Sequence, residues 1–289
     1  MAIGDSELIL NADGSIYHLK LLPGDISDTI ITVGDPDRVG QVSKYFDTLT
    51  LKKGKREFVT HSGTLKGTKL SVISTGIGTD NIDIVLNELD ALANIDFKTR
   101  TKKPQKITLN FIRIGTSGAI QEDVPVDSFL MSELAIGLDG LLHFYDSLAI
   151  QRRHMQQHFQ EHMGWKDANI APYIVDFDSD LAKTLISNRI RLGVTITNSG
   201  FYGPQGRTLR LTPRFRDFNE LLASYHFENR HITNLEMETA GIYGLSRLLG
   251  HKAVSLNAIL ANRATGTFSE NPQATVDELI QYTLQKLTS

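Results

Sequence analysis

Short β-branched runs alternate with stretches of helical spacing along most of the chain. Thr29 to Val33 (TIITV) stops at Gly34-Asp35-Pro36, which predicts a buried strand entering a tight turn. Phe58 to His61 and Leu70 to Ser74 read as further strands, separated by Gly63 and Gly67. Apolar side chains at Ile82, Val85, Leu86, Leu89 and Leu92 predict a helix over Asn81–Ala93. The basic run Lys98 to Lys106, which contains Pro104, reads as an exposed loop. Ile107 to Ile114 is a strand expected to stop at the glycine of IGTSGAI. Helices are predicted over Gln151–Met163, Asp180–Ile190 and Asn219–Phe227, with a strand over Gly193–Thr197 that feeds the loop GFYGPQGR. Glu236 to Leu249 begins with acids and ends at Gly250, the polarity of a capped helix. A strand over Ala253–Leu260 and a helix over Val276–Leu287 complete the pattern.

This alternation predicts an α/β fold with a mostly parallel or mixed sheet. There is no internal repeat and no low-complexity linker, so residues 1–289 are expected to form one domain. Strands that end in glycine-containing loops place ligands at their carboxyl ends.

Composition narrows the function classes. The chain is 40% hydrophobic and 22% charged, within the ordinary globular range. A net charge of −3 argues against a nucleic-acid-coating surface, although arginines gathered in one cleft can still bind an anion. There is no cysteine, no basic leader with a small-residue cleavage site and no apolar run of membrane-spanning length. The expectation is a soluble cytoplasmic protein with no membrane partner.

Two segments share one design for an anion. In GDPDRV, Gly34 lets the backbone approach a ligand and Arg38 can reach back with a bidentate fork; the alternative is a plain turn with a solvated arginine. In RIGTSG, Arg113 stands inside the apolar strand LNFIRIG, where an unpartnered charge is costly. An anion is its natural partner, with Thr116 and Ser117 as neutral donors. Arg56, in KREF, is a third candidate or else part of a solvated basic run. Neither a P-loop nor a dinucleotide fingerprint is present.

Two other segments suit a sugar and a base. Glu236 and Glu238 flank Met237; carboxylates accept from paired sugar hydroxyls, and methionine offers a soft apolar wall. The same acids also suit a helix N-terminus. FYGPQGR combines Phe201, Gln205 and Arg207, a donor and acceptor set able to read a base with carbonyls beside an N–H, or else an ordinary surface loop. His18 and Arg263 are equally readable as surface residues.

Taken in order, YHL, VGDPDRV, KREF, STGIG, RIGTSGAI, FYGPQGR, EMET and ANR resemble the nucleoside phosphorylase family, and the uridine phosphorylases within it most closely. The resemblance covers His18 to Arg263. It implies a three-layer sandwich with a central mixed sheet between helices. It implies that Gly34, Arg38, Arg113 and Thr116 bind phosphate, and that a neighbouring subunit lends Arg56 to the phosphate and His18 to the ribose 5′-hydroxyl. Glu236, Met237 and Glu238 match ribose-binding residues. Phe201 matches the aromatic beside the base, Gln205 and Arg207 the pair that reads uracil, and Arg263 a residue supporting that pair. Arg113, Glu238 and Arg207 would carry the catalysis.

The implied reaction needs no cofactor or metal, only inorganic phosphate as co-substrate, and the implied assembly is at least a homodimer. Purine-selective relatives typically carry an aspartate where this chain reads LANRATG, which favours a pyrimidine. The order GPQGR departs from the family's usual glycine before glutamine, and Asn81 replaces a serine found at a monovalent-cation site in some relatives. A purine phosphorylase, a nucleosidase and a non-catalytic nucleoside- or phosphate-binding protein are the alternatives.

Overall fold

The β-branched runs lie at the middle of one twelve-stranded mixed sheet. The computed structural model describes residues 2–165 and 170–289. The principal strands are β1 (Thr29–Val33), β2 (Thr48–Lys55), β3 (Phe58–Leu65), β4 (Thr68–Ser74), β5 (Asn110–Ala119), β6 (Phe129–Gly137), β7 (Tyr173–Asp176), β8 (Ile190–Thr197), β9 (Arg230–Glu236) and β10 (Lys252–Asn262). The helices are α1 (Pro36–Ser43), α2 (Thr79–Asn94), α3 (Arg153–His162), α4 (Ser179–Leu185), α5 (Phe218–Ser224), α6 (Thr239–Leu249) and α7 (Pro272–Leu287).

Strands β4, β1, β5 and β10 run parallel, so both of their faces must be covered. Alternation along each strand does this. Ile30 and Phe111 pack toward α2 and α6, whereas Ile31, Val33, Ile112 and Ile114 pack toward α1, α4 and α7. A third apolar cluster joins α3 and α5 to β6, β8 and β9. The fold is the expected mixed sheet between helical layers.

The sheet also turns back on itself. β10 pairs with β6, β6 with β8 and β8 with β9. β9 then pairs antiparallel with the end of β5, Asn234 opposite Ala119 and Leu235 opposite Gly118. Strands β5, β10, β6, β8 and β9 therefore form a closed ring, and β1, β4, β3 and β2 extend from it as an open wing.

Several elements differ from the sequence expectation. β2, β6, β7 and β9 were not expected as strands. β2 is a lysine-rich edge and β6 is apolar on both faces, so neither alternates cleanly. β5 does not stop at Gly115 but continues to Ala119, because β10 pairs with it along that length. The helix expected over Asp180–Ile190 ends at Leu185, and Ile190 already belongs to β8. The helix expected over Asn219–Phe227 ends at Ser224, and His226–Phe227 pairs back onto β9. The helix expected from Glu236 begins at Thr239, since Glu236 is the last residue of β9. The Lys98–Lys106 segment is not a free loop. Thr101–Lys102 pairs with Ile95–Asp96, and Arg100 donates to the Ile3 and Gly4 carbonyls.

Candidate active site

A cavity of about 770 Å³ opens where β1, β5 and β9 end. Gly34, Arg38, Arg113, Thr116, Phe201, Gln205, Arg207, Glu236, Met237 and Glu238 all line it. His18, Arg56 and Arg263 do not. Glu57, Asn81, Ser117 and Phe268 complete parts of its wall. A larger cavity, about 970 Å³, lies beside it behind Tyr202, Pro204 and Phe215; Arg207 alone of the expected site residues borders both.

At one end the arginines are set by regular structure. Arg113 sits in mid-strand, flanked by Thr32 of β1 and Ser255 of β10. Its side chain folds along the strand over Gly115, where an added Cβ would fall 1.6 Å from Nη1. That position must therefore be glycine if the guanidinium is to lie there. Nη2 donates to Glu238 Oε2 at 2.6 Å, and Nη1 donates to Asn257 Oδ1 at 3.1 Å. Burial opposes the charge on Arg113, but Glu236 and Glu238 outweigh it and hold the guanidinium above its ordinary value.

Arg38 arrives differently. β1 ends at Val33, Asp35 caps α1 by accepting from the Asp37 N–H, and Arg38 projects from the first turn of the helix. Its guanidinium has no hydrogen-bond partner among the described residues. Burial, then the like charge of Arg113, pushes it below its ordinary value, with partial relief from Asp35 and Glu238. Two cations thus face one cavity, an arrangement able to hold an anion.

The two acids of EMET have distinct positions. Glu236 accepts from the backbone N–H groups of Glu238 and Thr239, each at 2.9 Å, and from the Thr197 hydroxyl at 2.6 Å. It caps α6 from the end of the preceding strand. Glu238 precedes the helix and accepts from the Gly78 N–H at 2.8 Å as well as from Arg113. Burial pushes its carboxyl up, against the pull of Arg113. STGIG thus delivers a backbone donor: Gly78 has a φ of 95°, open to glycine at little cost.

The other end is a loop. GPQ forms one short turn, and Gly206 closes it in the left-handed region at φ 66°. Gln205 is thereby folded inward and buried. Arg207 lies 3.8 Å above the Phe201 ring and donates to Gln205 Oε1 at 2.5 Å and to the Phe201 carbonyl at 2.7 Å. Arg263 donates through Nη1 to the Gln205 carbonyl from behind. The altered order GPQGR still leaves Gln205, Arg207 and Phe201 together on the cavity wall.

The sequence profile of the phosphorylase superfamily matches residues 28–288, nearly the whole chain. The chain belongs to the phosphorylase superfamily. The uridine phosphorylase of Thermococcus kodakarensis is 29% identical over 258 residues, covering 89% of this chain and 81% of that protein. A purine nucleoside phosphorylase of the DeoD type from Listeria monocytogenes is 26% identical over 271 residues, covering 93% and 97%. Among solved structures, a Trypanosoma brucei nucleoside phosphorylase described as showing uridine phosphorylase activity superposes with a TM-score of 0.85. It is 29% identical and covers 97% of this chain and 99% of that one.

As a member of this superfamily the protein is an enzyme, a phosphorylase. His18 and Arg56 stand outside the cavity lined by Arg113. His18 Nδ1 lies 2.6 Å from Glu88 Oε1, and Arg56 is exposed at the β2–β3 turn with a φ of 56°. Asn257, which touches Arg113 from β10, was missed from sequence. The signal that singles out Arg113, a polar residue inside an apolar strand, exists for Asn257 in VSLNAIL as well. Among the described residues, no cluster of three or more His, Asp or Glu is placed to hold a metal ion, and no helix is long and apolar enough to cross a membrane.

Proposed function

We propose that the enzyme splits uridine with inorganic phosphate, releasing uracil and ribose 1-phosphate, and so acts as a pentosyltransferase. The observation that carries this reading is that one cavity is lined by Arg38, Arg113 and Glu238, with Arg113 on Glu238 at 2.6 Å, and also by the loop residues Gln205 and Arg207. Its relatives include proteins named uridine phosphorylase.

Phosphate, held by Arg38, Arg113, Thr116 and the backbone at Gly34, attacks C1′. As the C–N bond lengthens, the sugar gains oxocarbenium character, favoured by the adjacent phosphate charge. Glu238 accepts from the sugar hydroxyls, and Met237 packs on the ribose. Negative charge moves onto the base, where Arg207 and Gln205 donate to it, with Phe201 against the ring and Arg263 behind Gln205. The catalysis is positioning and electrostatic stabilisation of the transition state.

The strand that would supply an acid to a purine ends instead in Asn262. Its amide donates to the Gln121 and Val124 carbonyls, and its oxygen accepts from the Ala264 N–H. Asn262 and Arg263 stand in LANRATG where such an acid would be, which favours the pyrimidine reading over the purine one; deoxyuridine and thymidine fit the same donor set.

We further place the enzyme in the cytoplasm as one domain and at least a homodimer, with a partner subunit lending its own copies of Arg56 and His18. The exposure of Ile77 (68%) and Phe144 (89%) supports such an interface.

Absorbance assays with uridine, thymidine and inosine, with and without phosphate, test the reading. Loss of uridine that requires phosphate is expected. Phosphate-independent loss would make the protein a nucleosidase; binding without turnover would make it a nucleoside-binding protein.

A further inference from the structure

The interior of the closed ring is polar at the active-site end. Asn257 lies opposite Gly115 across the β10–β5 ladder, is fully buried and does not line the cavity. Its Oδ1 accepts from Arg113 Nη1 at 3.1 Å. Its Nδ2 approaches Ser255 Oγ at 3.3 Å and Ser132 Oγ at 3.4 Å. Ser132 Oγ lies 2.5 Å from Thr195 Oγ1, which donates to Asn234 Oδ1 at 2.8 Å. Asn234 Nδ2 donates to Ser117 Oγ at 2.9 Å, back on β5 and in the cavity wall. A chain of neutral groups thus leaves Arg113, passes round all five strands of the ring and returns to the strand it left.

The direction of each bond follows from the donor inventory. A hydroxyl has one proton. Thr195 gives its proton to Asn234, so Ser132 must give its proton to Thr195. Ser132 is then an acceptor toward Asn257, whose NH2 faces it. The amide oxygen is left facing the guanidinium, the only orientation that avoids setting donor against donor. Every member of the chain has a partner, so the network is satisfied despite its burial.

We propose that Asn257 is a positioning residue for the phosphate-binding arginine: it fixes the Arg113 guanidinium through a neutral acceptor and leaves its charge for the anion. This rests on the reading of Arg113 given above. The choice of an amide matters. Glu236 and Glu238 already set two carboxylates against Arg113, at 3.3 Å and 2.6 Å. A third would hold the side chain equally well but compete with phosphate for its charge. An apolar residue would leave the Arg113 Nη1 N–H without its acceptor, while Ser132 would keep its bond to Thr195.

Initial rates against phosphate at saturating uridine, and against uridine at saturating phosphate, test the assignment in the full-length enzyme. Asn257→Ala is expected to raise the KM for phosphate about tenfold, the scale of one hydrogen bond to a charged group. Asn257→Asp is expected to raise it further, with the KM for uridine changed less than about twofold in both, since the base end is untouched. Thermal unfolding with and without phosphate gives a second measure: phosphate should protect both variants less than the parent. If Asn257→Asp does not fold, Asn257→Ala decides alone. Equal losses in both KM values, or no change in either, would overturn the assignment. Arg113→Ala separates the two layers of inference. If it loses phosphate binding while the Asn257 variants are normal, only the positioning role is wrong. If Arg113→Ala keeps normal phosphate affinity, the anion reading fails and the role of Asn257 fails with it.

Discussion

The two ends of the cavity are built on opposite plans. At the phosphate end, Arg113 is held in mid-strand between two parallel neighbours, by a carboxylate, an amide and the empty face of Gly115. At the base end, Arg207 is held by its own loop: the Phe201 ring, the Phe201 carbonyl and the Gln205 side chain, all within six positions of it. The first arrangement is fixed by pairings between distant parts of the chain, the second by local turn chemistry. A sheet position cannot shift without breaking ladders on both sides, whereas a loop can be lengthened or reordered. On the proposed reading, the co-substrate is tied to the fold, while the choice of base rests on a segment that substitution can change cheaply. The reordered GPQGR turn illustrates the second half of that contrast.

The contrast breaks most directly at Arg113. Arg113→Ala is expected to lower phosphorolysis at least about a hundredfold, measured as phosphate-dependent loss of uridine absorbance. Near-normal activity would remove Arg113 from the anion end. Gly115→Ala asks whether the sheet geometry itself matters. The new Cβ would displace the guanidinium, and a misplacement of that size is expected to cost up to about a hundredfold in kcat/KM for phosphate. Circular dichroism should stay unchanged; unaltered kinetics would show that Arg113 is not confined by the strand.

At the base end, Arg207→Ala should raise the KM for uridine about tenfold and leave the KM for phosphate unchanged. A matching rise in both constants would mean that the two ends are not independent. Asp90 offers a control remote from both. It lies 3.0 Å from His251 Nε2 and 2.7 Å from Asn94 Nδ2, linking α2 to the start of β10. Burial opposes its charge, but the hydrogen bonds from His251 and Asn94 outweigh it and hold the carboxyl below its ordinary value. A depressed carboxyl adds stability above the unfolded value of about 4, and that stability is lost as pH falls through the folded value. Asp90→Asn should therefore lower the melting temperature at pH 7 by about 2 °C and converge with the parent below a pH of about 4, with kcat unchanged.

How much of this was readable beforehand follows the same division. Arg113 stood out because a charge inside LNFIRIG has no inexpensive explanation, and the strands with simple β-branched runs were visible for the same reason. Glu236 was ambiguous, because an acid before a helix reads alike whether it ends a strand or begins the first turn. The structure makes it the cap of α6. β6 was invisible because a strand buried on both faces has no alternation to detect, and β9 because its polar Asn234 and Thr233 face the closed interior rather than solvent. Asn257 was overlooked because one neutral amide disturbs an apolar pattern less than a charge does. The roles suggested for His18 and Arg56 depend on a second copy of the chain, whose surface no local pattern encodes.

The closure of β9 onto β5 has a consequence for how the molecule is made. Asn234 and Ala119 come from the two halves of the chain, and the last strand of the ring, β10, follows them both. Contacts of such long sequence separation form slowly, after most of the chain has left the ribosome. Gly78, Arg113 and Glu238 come from three separate segments, and Glu238, just past β9, meets Arg113 on β5, the strand on which the ring closes. Phosphate affinity should therefore emerge in the final phase of refolding, later than the bulk of helical signal, so that a half-made chain carries no partial enzyme.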